Sequence, residues 1–206
     1  MTLALVTGFG AFPGAPRNPT IAILDHLRKD HARRLARLGI ALDLQILPVR
    51  FGDVEGALAG ALTGAKPDLI LHLGLAGRRR HLSVELRACN RLTGLKPDAG
   101  RSRARQTTIE PHGPALRLAR WPAPRLVQAL CVHAPTRLSR DAGDYVCNQT
   151  LYLTLARFAG PAGFLHVPPP RPDLPISAMA RAVAAALVQL AVQHRVSTAG
   201  MAPAKA

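Results

Sequence analysis

The stretch Lys66-Pro67-Asp68-Leu69-Ile70-Leu71-His72-Leu73-Gly74-Leu75-Ala76-Gly77 decides the fold class. Pro67 breaks a preceding helical pattern, and Leu69 to Leu73 then reads as a short buried strand. Gly74 to Gly77 follows at the strand's end, where open α/β sheets gather their ligand sites. Working outward toward the N-terminus, Val54 to Leu62 has helical spacing, Phe51-Gly52 is a turn, and Ile40 to Val49 is a strand. Before it, Ile21, Leu24, Leu27, Leu35 and Leu38 repeat at helical spacing under a basic face, which predicts a surface helix over Pro19 to Leu38. Leu3 to Val6 supplies the first strand. Repeated strand, helix and strand predict an α/β protein: one three-layer α/β/α sandwich around a mixed, mostly parallel sheet.

Downstream, Arg91 to Pro124 loosens into Gly, Pro, Arg and Thr and is expected to be a long connection with a short hairpin. Pro124 to His133 predicts a helix, Thr136 to Leu138 a short strand, Pro168-Pro169-Pro170 a stiff turn, and Ile176 to His194 an Ala-rich helix. The expected organisation is one domain over residues 1–196 and a flexible tail over 197–206. At 206 residues the chain is long enough for a real core. No apolar run reaches the ~20 residues of a membrane span, and Met1 to Gly8 lacks a basic leader, so it reads as a strand and not a signal peptide. Three Cys without metal-ligand spacing suit a reducing compartment, and the expectation is a cytoplasmic protein with no metal.

A net charge of +15 invites a nucleic-acid reading. The cations are mostly Arg and are spread over the chain, with Arg78-Arg79-Arg80 and Arg101, Arg103, Arg105 as local clusters. No stacking motif accompanies them, so specific nucleic-acid binding is not expected. The loop Thr7-Gly8-Phe9-Gly10-Ala11-Phe12-Pro13-Gly14 lacks the glycine spacing and immediate helix of a dinucleotide site.

The chemistry lies in three places. In Asp141-Ala142-Gly143-Asp144-Tyr145-Val146-Cys147-Asn148 a loop closes onto a helix, with Asp144 a candidate N-cap and Cys147 in the first turn. There the helix dipole favours a thiolate. Gly163-Phe164-Leu165-His166-Val167-Pro168 ends a short strand on a His, and Leu82 to Asn90 places Glu85 in another. Cys, His and Glu at element edges are the parts of a cysteine-nucleophile triad. The bland readings are a packed Cys147, a structural His166, and a Glu85 that pairs with an Arg.

Several of these stretches occur together, in order, in one family. Val6-Thr7-Gly8-Phe9 with Phe12, Asn18-Pro19-Thr20, Leu47-Pro48-Val49, His72-Leu73-Gly74-Leu75-Ala76, Glu85 with Asn90, Pro97-Asp98, and the Cys147 and His166 segments resemble pyroglutamyl-peptidase I, a family of cysteine exopeptidases. The resemblance runs from Ala4 to about Leu190. It implies hydrolysis after an N-terminal pyroglutamyl (5-oxoproline) residue through an acyl-enzyme, with Cys147 as nucleophile, His166 as proton shuttle and Glu85 orienting the imidazole. The backbone N–H of Cys147 would serve the oxyanion, joined by the Gly74 to Gly77 loop or Arg87. Phe9 and Phe12 would flank the neutral lactam and Asn18 would contact it, although packing and helix capping explain these residues equally. No cofactor is implied. The partners are pyroglutamyl peptides and other copies of the chain, as a dimer or tetramer.

Gly10 and Ala11 stand where the family usually has Glu and Pro, Leu86 follows Glu85 where a basic residue is usual, and three Arg follow Gly77. Three other readings therefore stay open: a divergent member with altered or lost activity, a basic nucleic-acid-binding domain, and a phosphorylase-like enzyme.

Overall fold

A computed structural model describes residues 1–199. Strands β1 (Thr2–Phe9), β2 (Ile40–Leu47), β3 (Leu69–Leu75), β4 (Leu82–Glu85), β7 (Thr136–Ser139) and β8 (Ala162–Val167) form a six-stranded sheet in the order β2-β1-β3-β8-β4-β7. All neighbours are parallel except β4 and β8, which run antiparallel. A separate antiparallel pair joins β5 (Arg87–Cys89), which precedes the long connection, to β6 (Leu116–Leu118) within it, so the short hairpin expected inside Arg91 to Pro124 is not formed.

Alternation along the strands builds the two cores. On one face Leu69, Leu71 and Leu73 join Ala4, Val6, Val84, Leu165 and Val167 beneath α1 (Pro19–His26), α2 (Ala32–Arg37), α4 (Ala123–Cys131) and α6 (Ile176–Ala199). On the other, Ile70 joins Leu5, Phe9 and Phe164 beneath α3 (Val54–Ala65) and α5 (Val146–Arg157). This is the predicted mixed three-layer sandwich.

Three local expectations are corrected. The helix expected over Pro19 to Leu38 is interrupted by a π-helical turn at Leu27–His31. Leu24, Leu27 and Leu35 keep the buried stripe, while Ile21 and Leu38 are 44% and 43% exposed. The C-terminal helix runs through Ala199, past the expected start of the tail at 197, and residues 200–206 lie outside the described residues. That helix also has the length and mean hydropathy, 1.5, to cross a membrane, contrary to the expectation that no run does. Here its Met179, Val183, Leu187 and Leu190 are buried in the larger core.

Candidate active site

The cleft forms where the C-terminal ends of β3 and β8 meet the start of α5. Parallel pairing sets Gly74 beside His166, and antiparallel pairing sets Ser83 beside His166 and Glu85 beside Phe164. Side chains alternate across a sheet, so His166, Gly74 and Glu85 share the α5 face. Gly74 then has a steric purpose. A Cβ there would lie 2.6 Å from the Phe164 ring and 2.9 Å from Cys147 Sγ, so the missing side chain is the space the thiol occupies. The nucleophile candidate thus rests on the strand next to His166.

His166 is 5% exposed and Glu85 fully buried. Their contact is 2.8 Å, Nδ1 to Oε1. A carboxylate only accepts, so Nδ1 donates, which leaves Nε2 of the neutral imidazole as an acceptor. Arg79 Nη1 donates to the same Oε1 at 2.6 Å, and its Nη2 donates to the Asp141 carbonyl at 2.8 Å. Glu85 Oε1 therefore meets both the imidazole and a guanidinium. Arg79 was visible in the sequence only as one of three consecutive Arg. The signal that could have found it is its place between the Gly74 turn and Glu85, a single short loop from the carboxylate.

Cys147 and His166 line one open cleft of about 680 Å³, with Phe12, Leu75, Arg78, Arg79, Lys96 and the Asp141–Tyr145 loop among the other walls. Cys147 lies in the first turn of α5, as expected, but the N-cap is Tyr145, with extended backbone and no side-chain cap; Asp144 does not cap the helix. Among the described residues, no hydrogen bond joins Cys147 Sγ to His166. Burial, reinforced by the negative charge of Glu85, pushes the thiol up to about 12, while its own backbone N–H pulls weakly the other way. That direction opposes the dipole-lowered thiol expected from the helix terminus. One helix terminus does not offset enclosure by Gly74 and Phe164.

The three candidate substrate contacts separate. Phe12 is partly exposed on the cleft wall, its ring 6.0 Å from that of Tyr145. Phe9 is 2% exposed and stacks on Phe164 at 6.2 Å, so it belongs first to the core. Asn18 caps α1: Oδ1 accepts from Thr20 N at 3.2 Å, and Nδ2 donates to the Gly10 carbonyl at 3.1 Å. All three still line a small inner cavity of about 30 Å³ with Val49, Leu75, Tyr145 and Cys147. Tyr145, which the sequence reading gave no role, sits between Phe12 and Phe51 and donates from its hydroxyl to the Pro97 carbonyl at 2.8 Å. Arg87 is absent from the cleft lining and is spent on the Arg140 carbonyl at 2.9 Å. Ala76 N–H likewise binds the Val167 carbonyl at 2.8 Å. Among the described residues no group of three or more His, Cys, Asp or Glu side chains is arranged to hold a metal ion.

The family model for pyroglutamyl peptidase matches residues 2–202. The chain belongs to that family. It is 33% identical over 173 residues to the pyrrolidone-carboxylate peptidase of Pyrococcus furiosus, covering 80% of this chain and 79% of the relative. Its fold is similar to the solved pyrrolidone carboxyl peptidase from Thermus thermophilus, at 35% identity and a TM-score of 0.79 over 90% of this chain and 99% of the other. The corresponding enzyme from Thermococcus litoralis is similar at 26% identity and a TM-score of 0.84, covering 95% and 96%. Membership makes this chain a hydrolase of the cysteine-peptidase type.

Proposed function

We propose that the protein removes N-terminal pyroglutamyl residues from peptides, with Cys147 as nucleophile, His166 as general base and then acid, and Glu85 as the group that orients and charges the imidazole. The observation that carries this reading is the buried 2.8 Å Glu85–His166 bond behind a cleft that Cys147 also lines. The Cys147 proton passes to His166 Nε2 as Sγ attacks the carbonyl that follows the lactam. The imidazolium is then flanked by the Glu85 carboxylate. It gives its proton to the leaving amine, and an acyl-enzyme remains. Water, activated by the same His166, releases pyroglutamate. The Cys147 backbone N–H, in the first turn of α5 where intrahelical partners are missing, is the oxyanion donor.

The lactam enters the inner cavity between Phe12 and Tyr145. That cavity shares Phe12, Leu75, Tyr145 and Cys147 with the larger cleft. A neutral, flat ring suits an apolar slot that a charged N-terminal amine would enter only at a desolvation cost. All three cysteines are free, which suits a reducing compartment such as the cytoplasm. Assembly into a dimer or tetramer is part of the same proposal and is read by light scattering of the purified chain.

The test is release of aminomethylcoumarin from its pyroglutamyl amide by wild type and Cys147→Ser. Wild-type turnover that falls by at least about 10³-fold in the variant supports the reading. Equal rates in the two proteins would remove Cys147 from the chemistry, and a folded wild type inert in reducing buffer would remove the substrate.

A further inference from the structure

We infer that Arg79 is a positioning residue of this site: it holds the Glu85 carboxylate ionised toward His166 and ties that carboxylate to the loop that delivers Cys147. The inference rests on the roles just proposed for those three residues.

Three contacts carry it. Arg79 Nη1 and His166 Nδ1 meet the same oxygen, Glu85 Oε1, at 2.6 and 2.8 Å. Glu85 Oε2 is buried with no partner, so the carboxylate has no other hydrogen-bonded support. Arg79 Nη2 reaches the Asp141 carbonyl, and Asp141 Oδ1 accepts from Gly143 N at 3.0 Å within the turn that leads to Cys147. The guanidinium thus spans two walls of the cleft with its rigid fork, a geometry that a point-charge ammonium does not reproduce.

The electrostatic consequence has a definite sign. A carboxylate without solvent contact is costly to keep charged opposite a neutral imidazole. Remove Arg79, and the Glu85–His166 pair gains affinity for a proton, because one bound proton would then supply the missing positive charge. A proton held by that pair is a lost general base. Arg79 therefore opposes proton uptake by the Glu85–His166 pair.

The other groups around the imidazole do not substitute for it. Cys147 is a neutral thiol, and Phe164, 4.7 Å from the His166 ring, is uncharged. Ser83, the register neighbour on β4, lies 3.3 Å from His81. The Asp141 carboxylate is turned to Arg91 at 2.7 Å. Arg78, Lys96 and Asp144 lie along the open cleft. An ordinary exposed ion pair contributes little; this one has a fully buried partner on its acidic side.

The experiment compares wild type, Arg79→Met and Arg79→Lys by pH-dependent steady-state kinetics on pyroglutamyl-aminomethylcoumarin. His166 titration is followed in parallel by NMR without substrate. For Arg79→Met the expectation is a kcat lower by about 10²-fold, KM changed by less than about threefold, and an acid limb of kcat/KM moved up by about one pH unit. Arg79→Lys restores the acid limb but only part of kcat, since one ammonium cannot hold both Glu85 and the Asp141 carbonyl. A folded Arg79→Met with unchanged kcat and unchanged acid limb, or a loss confined to KM, overturns the inference. If the Met variant does not fold, a Lys variant equal to wild type in kcat overturns the two-wall tie. If wild type does not turn over the substrate, the NMR titration decides alone: an upward move of His166 in Arg79→Met supports the electrostatic role, and an unmoved titration rejects it.

Discussion

His72 lies fully buried on β3, two residues before Gly74, with Thr7 Oγ1 2.7 Å from Nδ1 and Thr154 Oγ1 2.8 Å from Nε2. Two hydroxyls that can each donate or accept satisfy a neutral ring but leave no counter-charge for a protonated one, and burial lowers the group from 6.5 to about 3. The unfolded chain binds that proton below about 6.5 and the folded one refuses it until about 3. Stability from this residue is therefore complete above that window and drains as pH falls through it. His72→Gln keeps hydrogen-bonding groups without the titration. Urea unfolding at pH 7 and pH 4.5 should show wild type losing about 2–3 kcal/mol more than the variant between the two. Cys147 shifts the other way. With the thiol raised to about 12, its alkylation by iodoacetamide should climb about tenfold per pH unit through pH 9 without levelling. A plateau at neutral pH would mean that His166 holds a standing thiolate.

The element that makes the site is the start of α5 seated over β3. Its polar residues are clamps: Asn148 Nδ2 donates to the Cys89 and Arg91 carbonyls at 2.8 and 3.0 Å, and its Oδ1 accepts from Cys89 N at 2.9 Å. Asn148→Ala strands these Cys89 and Arg91 groups and is expected to cost about 2–4 kcal/mol, read as a drop in thermal midpoint. Gly74→Ala tests the close approach directly. With Phe164 and Sγ at 2.6 and 2.9 Å from the new methyl, something must shift, and the Phe164 ring is fully buried. The variant should lose about 1–3 kcal/mol and at least about tenfold in kcat, measured by thermal unfolding and coumarin release. Gly74 and Cys147 were each legible in the sequence as anchors of a resemblance. That one makes room for the other was not, because the contact joins a strand and a helix far apart in the chain.

Over the whole molecule, a sheet that reverses direction between β8 and β4 brings His166 and Glu85 side by side across an antiparallel pair, while parallel pairing sets Gly74 next to the same His166. The charge of +15 surrounds this arrangement. Around the cleft, the buried Glu85 is matched by Arg79 and Asp141 by Arg91. Arg78 and Lys96 remain as wall cations against Asp144. A peptide with Glu after the pyroglutamyl residue should thus show a higher kcat/KM than one with Lys at low salt. The ratio should fall toward one in 1 M NaCl, where screening acts within about 3 Å. Chromatographic rates on the two peptides at both salt levels check this.

Local pattern was enough for the α/β class, the core strands and the placement of Cys147, His166 and Glu85 at element ends, because alternation, helical spacing and Pro or Gly stops are written in neighbouring residues. Ordered motifs were enough for the family. Tertiary structure alone decided the rest. Long-range register set Glu85 against His166, Arg79 was chosen from among three consecutive Arg by its reach to a buried oxygen, and enclosure raised a thiol that a helix terminus by itself would lower. Desolvation and pairing depend on what surrounds a group in space, and sequence neighbours do not carry that information.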